Sequence, residues 1–233
     1  MNNYQDDRRM VNNAVGFNDF LTKMYGWMSL AVLISAATAY FMSSVFGIAG
    51  LMQNRWLMWG SLLVWFFMPF VITSQAMKRP SLSFIFLMLY AMITGVMFSS
   101  IFLTYTGTSI VAAFLSSAAI FITMTLFGLT TKRDLTKWGT QASAALIALI
   151  VAMIINMFLR SSIIAFVFSV IAIVIFTILT ASDTQRMKNI YNQANGQVST
   201  TGLAVIGALQ LYLDFVNLFS QMLSIFGLGD NRD

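Results

Sequence analysis

The stretch "LQLYLDFVNLFSQML", residues 209–223, decides how this chain folds, because it places a carboxylate, Asp214, inside an otherwise apolar helical segment. An ionisable side chain at the centre of a bilayer costs ~2.5–3.5 kcal/mol on insertion scales, so its presence there indicates a function. The polar residues around it recur every three or four positions, which places them on one face of a helix. That face carries Gly207, Gln210, Asp214, Asn217, Gln221 and Ser224.

Two interpretations of this polar face remain open. Polar side chains hydrogen-bond between membrane helices, so the amides can serve as adhesive contacts that hold a helix bundle together. Adhesion rarely requires a carboxylate, however. The second interpretation is therefore that this helix is central and that Gln210, Asn217, Gln221 and Ser224 line a hydrated or proton-accessible path.

The composition is that of a membrane protein. Of 233 residues, 58% are hydrophobic and only 9% are charged, whereas a soluble domain carries about 25% charged residues. All eight acids are Asp, and there is no His or Cys, which excludes Ser-His-Asp and Cys-His triads, the usual zinc sites and disulfides. We expect no enzymatic activity, no metal site and no cofactor. The scattered cations do not favour a nucleic-acid partner.

Charge-free runs predict seven membrane-spanning helices, since about 20 apolar residues cross the hydrocarbon core. The longest run, 80–131, holds two spans joined by a turn at "TYTGT", residues 104–108. Residues 1–23 are predicted to form a polar cytoplasmic tail, and 183–201 a polar loop. Residues 24–233 then form one membrane domain, with spans at about 24–46, 56–77, 81–104, 108–130, 139–159, 161–182 and 202–227.

Basic residues predict the orientation of these spans. Cytoplasmic connections of membrane proteins are enriched in Lys and Arg. With the N-terminus inside, ten of the 13 cations lie on the cytoplasmic side, and only Arg55, Arg160 and Arg232 lie outside. The sequence therefore predicts a cytoplasmic N-terminus and an external C-terminus.

A second acid, Asp183, lies at the cytoplasmic end of the sixth span, within "SDTQRMK" at 182–188. A tilt of that span would allow Asp183 to reach Asp214. Two carboxylates in contact cannot both ionise cheaply, so such a pair would share a proton. The pair would then supply pH sensitivity to a chain that has no histidine.

Several motifs resemble the bacterial members of the Bax inhibitor-1 family, the transmembrane Bax inhibitor motif proteins. The most specific is "LYLDFVNLF" at 211–219, followed by "IFG" at 225–227. The stretch "SDTQRMK" at 182–188 adds to it, as do "TGVMFSSIF" at 94–102 and "TKRDL" at 131–135. These motifs follow one another along most of the chain.

The resemblance implies both a fold and an activity. The family fold wraps six helices around a central C-terminal seventh helix. Its characterised bacterial members are described as pH-sensitive calcium leaks gated by an aspartate pair, which corresponds to Asp183 and Asp214 here. A basic group at the cytoplasmic end of the second span, Lys78 or Arg79, is expected to latch the closed form.

Two classes of function follow as expectations for a protein of the bacterial inner membrane. The first is a pH-sensitive leak for calcium or other cations. The second is a regulator that transports nothing and binds another membrane protein, such as a quality-control protease. An intramembrane aspartyl protease is disfavoured, because Tyr212 and Leu213 precede Asp214 where that class has a glycine-flanked aspartate.

The predicted orientation is testable with reporter fusions. A reporter fused after Asp233 should report an external location, and one inserted near Asn195 a cytoplasmic location, because the Lys and Arg bias orients the spans. The measurement is reporter activity in intact cells. Both reporters on one side of the membrane would contradict a seven-span topology.

Overall fold

The computed structural model describes the backbone of residues 3–46, 55–194 and 198–230 and the side chains of residues 16–44, 59–194 and 198–227. Over these residues the fold is helical without β-strands, and seven helices are long and apolar enough to cross a membrane, which confirms the predicted all-α fold and span count. The helices are α1 (Asn3–Phe41, continued by a π-helical turn, Met42–Phe46), α2 (Arg55–Ala76), α3 (Pro80–Phe98), α4 (Gly107–Thr130), α5 (Thr136–Leu159), α6 (Ser162–Ala194) and α7 (Thr200–Asp230).

The long apolar run divides at the predicted turn. A short helical turn, Ile101–Thr104, follows α3, and α4 begins at Gly107. The Thr106 side chain accepts a hydrogen bond from the backbone N–H of Ser109 and so caps the start of α4. Pro80 is the first residue of α3, a position where its missing N–H leaves no hydrogen bond unmade.

The predicted polar loop at 183–201 is wrong, because α6 continues as a helix to Ala194. The polar side chains of this extension find partners on the connection between α4 and α5. Gln185 accepts a hydrogen bond from the backbone N–H of Leu135 (2.8 Å) and donates one to the carbonyl of Arg133 (2.8 Å). Lys188 donates to the carbonyl of Leu129 (2.6 Å) at the end of α4. These bonds support the helix beyond its apolar portion.

The first span begins earlier than the predicted residue 24. α1 begins at Asn3, and its apolar segment already includes Gly16, so the helix includes most of the expected tail. Asp19 and Lys23 lie one turn apart and form an ion pair (2.7 Å) that a helix accommodates. The ring of Phe20 stacks on Tyr191 of the α6 extension at 4.8 Å between centroids, so the two extensions pack against each other.

The most buried span is α7. In its most apolar window 72% of the residues are buried, against at most 33% in any other span. It packs on α1, α4 and α6 and more narrowly on α2 and α3, whereas α5 packs mainly on α6. The outer helices expose many large apolar side chains, as expected for surfaces that face lipid.

A glycine permits one of the closest helix contacts. A Cβ atom on Gly128 would collide with the backbone carbonyl oxygen of Ala181 and approach Thr184 Cβ to 3.1 Å. Small residues let membrane helices approach closely enough for backbone contact. Gly128 therefore sets the separation of α4 and α6 just beside Asp183.

Substitution of this glycine tests the packing. Gly128→Ala should destabilise the protein by about 1–3 kcal/mol, since a backbone carbonyl cannot move aside as a flexible side chain can. The measurement is the thermal unfolding midpoint in detergent. Gly107→Ala on the same helix is the control, because no described atom beyond the local backbone lies within 4 Å of the added Cβ. Equal midpoints for the two variants would contradict this account of the α4–α6 contact.

Candidate functional site

Asp214 lies inside the bundle, on the polar face of α7. It is 5% exposed, and its Oδ2 atom is buried. That oxygen accepts no hydrogen bond from any residue whose side chain or backbone is described. Asp183 is close enough to act on it electrostatically. A buried carboxyl oxygen without a donor is unusual and expensive, which marks the position as a functional candidate.

Asp183 lies on α6 and is 8% exposed. Its Oδ2 accepts a hydrogen bond from Nε2 of Gln210 (2.7 Å), so α6 and α7 are joined by a side-chain bond one turn before Asp214. Two further residues of α6 lie one turn from Asp183, on either side of it. Thr180 donates to the carbonyl of Phe176 on its own helix, and Arg186 is exposed but still acts on Asp183 electrostatically.

A polar cleft reaches Asp183 from the side of α5. It occupies about 500 Å³ between the N-terminal end of α5 and the C-terminal half of α6. The connection before α5 is largely exposed, so the cleft lies at a water-facing end of the bundle. It therefore offers water a route to one of the two carboxylates. Besides Asp183, its polar lining consists of Thr136, Thr140, Ser143, Ser182, Gln185, Arg186, Asn189 and Gln193.

The rest of the polar face bonds largely within α7. Asn217 donates to the carbonyl of Leu213 (2.8 Å), and Ser224 donates to the carbonyl of Ser220 (3.0 Å). Gln221 is half-buried. Among the amides of this face, Gln210 is the one with a hydrogen bond to another described helix. Adhesion by interhelical amide bonds thus has support at Gln210, but Asn217 bonds its own helix.

The two latch candidates lie away from the carboxylates. Lys78 and Arg79 are exposed in the turn between α2 and α3, where both backbone N–H groups bond to the carbonyl of Gln75. Within the described side chains, neither forms an ion pair with an acid. Among the residues whose side chains are described, no latch contact is formed, and the latch stays a prediction.

Sequence reasoning missed a second polar connection of α7. The hydroxyl of Tyr212, which is fully buried, lies 2.6 Å from that of Ser35 on α1. Ser35 also donates to the carbonyl of Ala91 on α3 (2.8 Å), so three helices meet at this hydroxyl. Tyr212 lies off the polar face, and no spacing pattern predicted it. The sequence did contain a signal for the cleft. Its polar residues on α5 are spaced four and three positions apart, which places Thr136, Thr140 and Ser143 on one helix face.

The site has the chemistry of proton exchange and transient cation contact. In the parts of the chain that are described, no three acids cluster as a metal site would require. One of the two carboxylates lines a polar cleft and the other is enclosed, so protons reach them unequally. Carboxylate and amide oxygens are also the ligands that hard cations prefer.

Comparison with known proteins places the chain in a family. A family model described as "Inhibitor of apoptosis-promoting Bax1" matches residues 17–231. An uncharacterized membrane protein of Streptococcus pyogenes serotype M1 is 39% identical over 219 residues, which cover 93% of this chain and 95% of the relative. The inner membrane protein YbhL of Escherichia coli K12 is 33% identical over 232 residues, covering 97% of this chain and 99% of YbhL.

These matches extend over all seven spans, and two of the relatives carry membrane locations in their names. They agree with the seven membrane-spanning helices of the structure, so the predicted multi-pass membrane location is confirmed. The chain is an integral membrane protein that belongs to the Bax inhibitor-1 family.

Proposed function

We propose that this protein is a pH-sensitive leak channel for cations, calcium above all, in the bacterial inner membrane, and that Asp183 and Asp214 gate it. In this proposal α7 is the central helix, the N-terminus is cytoplasmic and the C-terminus is external. The observation that carries the proposal is the proximity of two unlike carboxylates. Asp183 lines a polar cleft, whereas Asp214 is enclosed and has an oxygen without a donor.

The electrostatics of the pair connect it to pH. An ionised carboxylate that is buried without a donor costs several kcal/mol, and a second negative charge beside it adds repulsion. A proton held by the pair removes both costs. Because the polar cleft reaches Asp183, protons can enter or leave from that side. The charge of the pair, and with it the balance of forces between α6 and α7, then follows the pH at the cleft.

The polar face of α7 is the proposed path for the cation. Calcium binds carboxylate, carbonyl and water oxygens, and Asp214, Asn217 and Gln221 offer such oxygens in sequence along the helix. A cation on this path must pass Asp214, which is 5% exposed, so this structure corresponds to a closed form. Opening requires α7 and its neighbours to separate there. A latch by Lys78 or Arg79 would form in a different arrangement of α2.

Amide substitution of the carboxylates tests the gate. Asp183→Asn and Asp214→Asn keep the side-chain shape but remove the shared proton and the repulsion, so each should abolish most of the pH dependence of ion flux. The double variant should add little, because the two residues act as one unit. The measurement is calcium entry into proteoliposomes between about pH 5 and pH 8. If both single variants keep the wild-type profile, the pair is not the sensor.

A matched control removes a carboxylate elsewhere. Asp134 is exposed before α5, and the Thr136 hydroxyl (2.6 Å) and backbone amide (2.9 Å) that donate to it hold its pKa below the ordinary value. A lowered pKa keeps this carboxylate ionised at every pH above its ordinary value, including the whole assay range. Asp134→Asn should therefore leave the pH profile unchanged. Arg186→Gln, close to Asp183, should shift the midpoint and retain the dependence.

Water access to the cleft is testable by thiol labelling, because the native chain has no cysteine. Ser143→Cys should react with a charged, water-soluble thiol reagent, since Ser143 lines the polar cleft. Ala144→Cys is the neighbouring control, because Ala144 is exposed but does not line the cleft, and we expect it to face hydrocarbon. The measurement is the labelling rate in membranes. Similar rates at the two positions would argue against a hydrated cleft.

The second candidate is a regulator that transports nothing and binds another membrane protein. Its support is the outer face of α5, where Ala144 and Ala148 are exposed and would let a partner helix approach closely. Calcium flux in liposomes that contain only this protein separates the two candidates, because a regulator would carry none. In neither case do we propose an enzymatic activity.

A further inference from the structure

Tyr212 and Asp214 lie on opposite faces of α7. They are two positions apart, which places their side chains about 200° apart around a helix of 3.6 residues per turn. Asp214 shares its face with Gln210, which bonds to Asp183 of α6. On the other face, the Tyr212 hydroxyl lies 2.6 Å from the hydroxyl of Ser35 on α1. Side-chain hydrogen bonds therefore hold α7 from two opposite sides.

The direction of the bond between Tyr212 and Ser35 follows from the other partners of Ser35. A carbonyl can only accept a hydrogen bond, so the single hydroxyl proton of Ser35 is donated to the carbonyl of Ala91 on α3 (2.8 Å). The carbonyl of Ala31 on its own helix (3.0 Å) shares that proton. The Ser35 oxygen is left as an acceptor, and Tyr212 is the donor. One serine hydroxyl thus joins α7 to both α1 and α3.

The acceptor is held in place by its surroundings. A Cβ atom on Gly95 of α3 would lie 2.5 Å from the backbone carbonyl oxygen of Ser35, so the backbones of α1 and α3 touch at this level. Thr94, the residue before Gly95, accepts a hydrogen bond from Nε1 of Trp65 on α2 (3.1 Å) and acts on the Tyr212 hydroxyl as well. Tyr212 therefore bonds to α7's neighbours where three of them are already joined.

The two faces of α7 differ in charge. Beside Tyr212 the titratable neighbour is Tyr90 of α3, at 5.9 Å between ring centroids, and tyrosines are neutral between about pH 5 and pH 8. On the opposite face, Asp183 acts electrostatically on Asp214, and Arg186 acts on Asp183. The bond of Tyr212 is thus constant over this pH range, while the charge varies across the helix from it.

We propose that Tyr212 is a positioning residue for the gate: its bond to Ser35 fixes the rotation of α7 at which Asp214 is enclosed beside Asp183. A rotation of α7 that brings Asp214 toward water moves Tyr212 away from Ser35, because the two side chains turn together. The α1–α3 pair is the fixed support, and loss of the bond leaves α7 free to turn. The gating role rests on the proposed leak function, whereas the anchor formed by Tyr212 and Ser35 does not.

The first measurement needs no ion flux. Ala208 is fully buried one turn before Tyr212, on the same face of α7. Ala208→Cys gives a single thiol, since the native chain has no cysteine, and N-ethylmaleimide reaches it only when this face separates from its neighbours. Tyr212→Phe keeps the ring and removes the hydroxyl. It should raise the labelling rate in membranes about fivefold, the effect of one hydrogen bond.

Two comparisons make the labelling result specific. Tyr40→Phe on α1 removes a hydroxyl from an exposed side chain and should leave the rate unchanged. In a Ser35→Ala background, Tyr212→Phe should no longer raise the rate, because the acceptor of its hydroxyl is already gone. An unchanged rate for Tyr212→Phe, an equal rise for Tyr40→Phe, or a full rise in the Ser35→Ala background would each overturn the anchor.

The second measurement is calcium entry into proteoliposomes between about pH 5 and pH 8. Tyr212→Phe should move the midpoint of the pH profile to lower pH by up to about 0.7 unit, the equivalent of a fivefold change, because a less enclosed Asp214 ionises at lower cost. Faster labelling with an unchanged pH profile would overturn the positioning role. If the wild type carries no calcium at any pH, the leak function fails, and the labelling rates alone support or overturn the anchor.

Discussion

Polar side chains within hydrocarbon must be covered by protein, and this constraint organises the molecule. The helix that carries most of them, α7, is the most deeply buried span, and five of the other helices pack on it. The outer helices can then expose apolar side chains to lipid. Gln210 on the polar face of α7 donates a hydrogen bond to Asp183 of the neighbouring helix α6. Around that bond, α4 approaches α6 at a glycine, and Gln185 and Lys188 hold the extension of α6 in place.

The two carboxylates differ in surroundings more than in chemistry. Asp183 borders a polar cleft and accepts a strong hydrogen bond, while Asp214 is enclosed and accepts none at Oδ2. The proposed pH-sensitive gate rests on this asymmetry. An apolar groove between α1 and α4 is lined by the next residue of the same turn, Phe215. A polar cleft therefore borders one residue of the pair, and an apolar groove borders the residue that follows the other.

Much of this architecture could be predicted from the sequence, because charges interrupt the apolar runs at nearly every span boundary. The stretch at residues 209–223 also indicates the family and identifies Asp214 as a functional candidate. The extension of α6 could not be predicted from the sequence. The partners of Gln185 and Lys188 are backbone carbonyls and an N–H group on a distant connection. The link from Tyr212 to Ser35 joins residues far apart in the chain and follows no spacing rule. Contacts of this kind depend on how helices pack, which a pattern along one helix does not record. The roles of Asp183 and Asp214, and the orientation of the spans, remain predictions.

The position of α7 along the chain also bears on how the protein is assembled. α7 follows the other six described spans in the chain, so the helices on which it packs are synthesised before it. Asp183 precedes Asp214 in the chain and Ser35 precedes Tyr212, so each is synthesised before the residue with which it interacts. When α7 is inserted, helices that can bury the Asp214 carboxylate have therefore already been synthesised. If α7 were synthesised first, the Asp214 carboxylate would have no protein neighbours to separate it from hydrocarbon until the later helices were made.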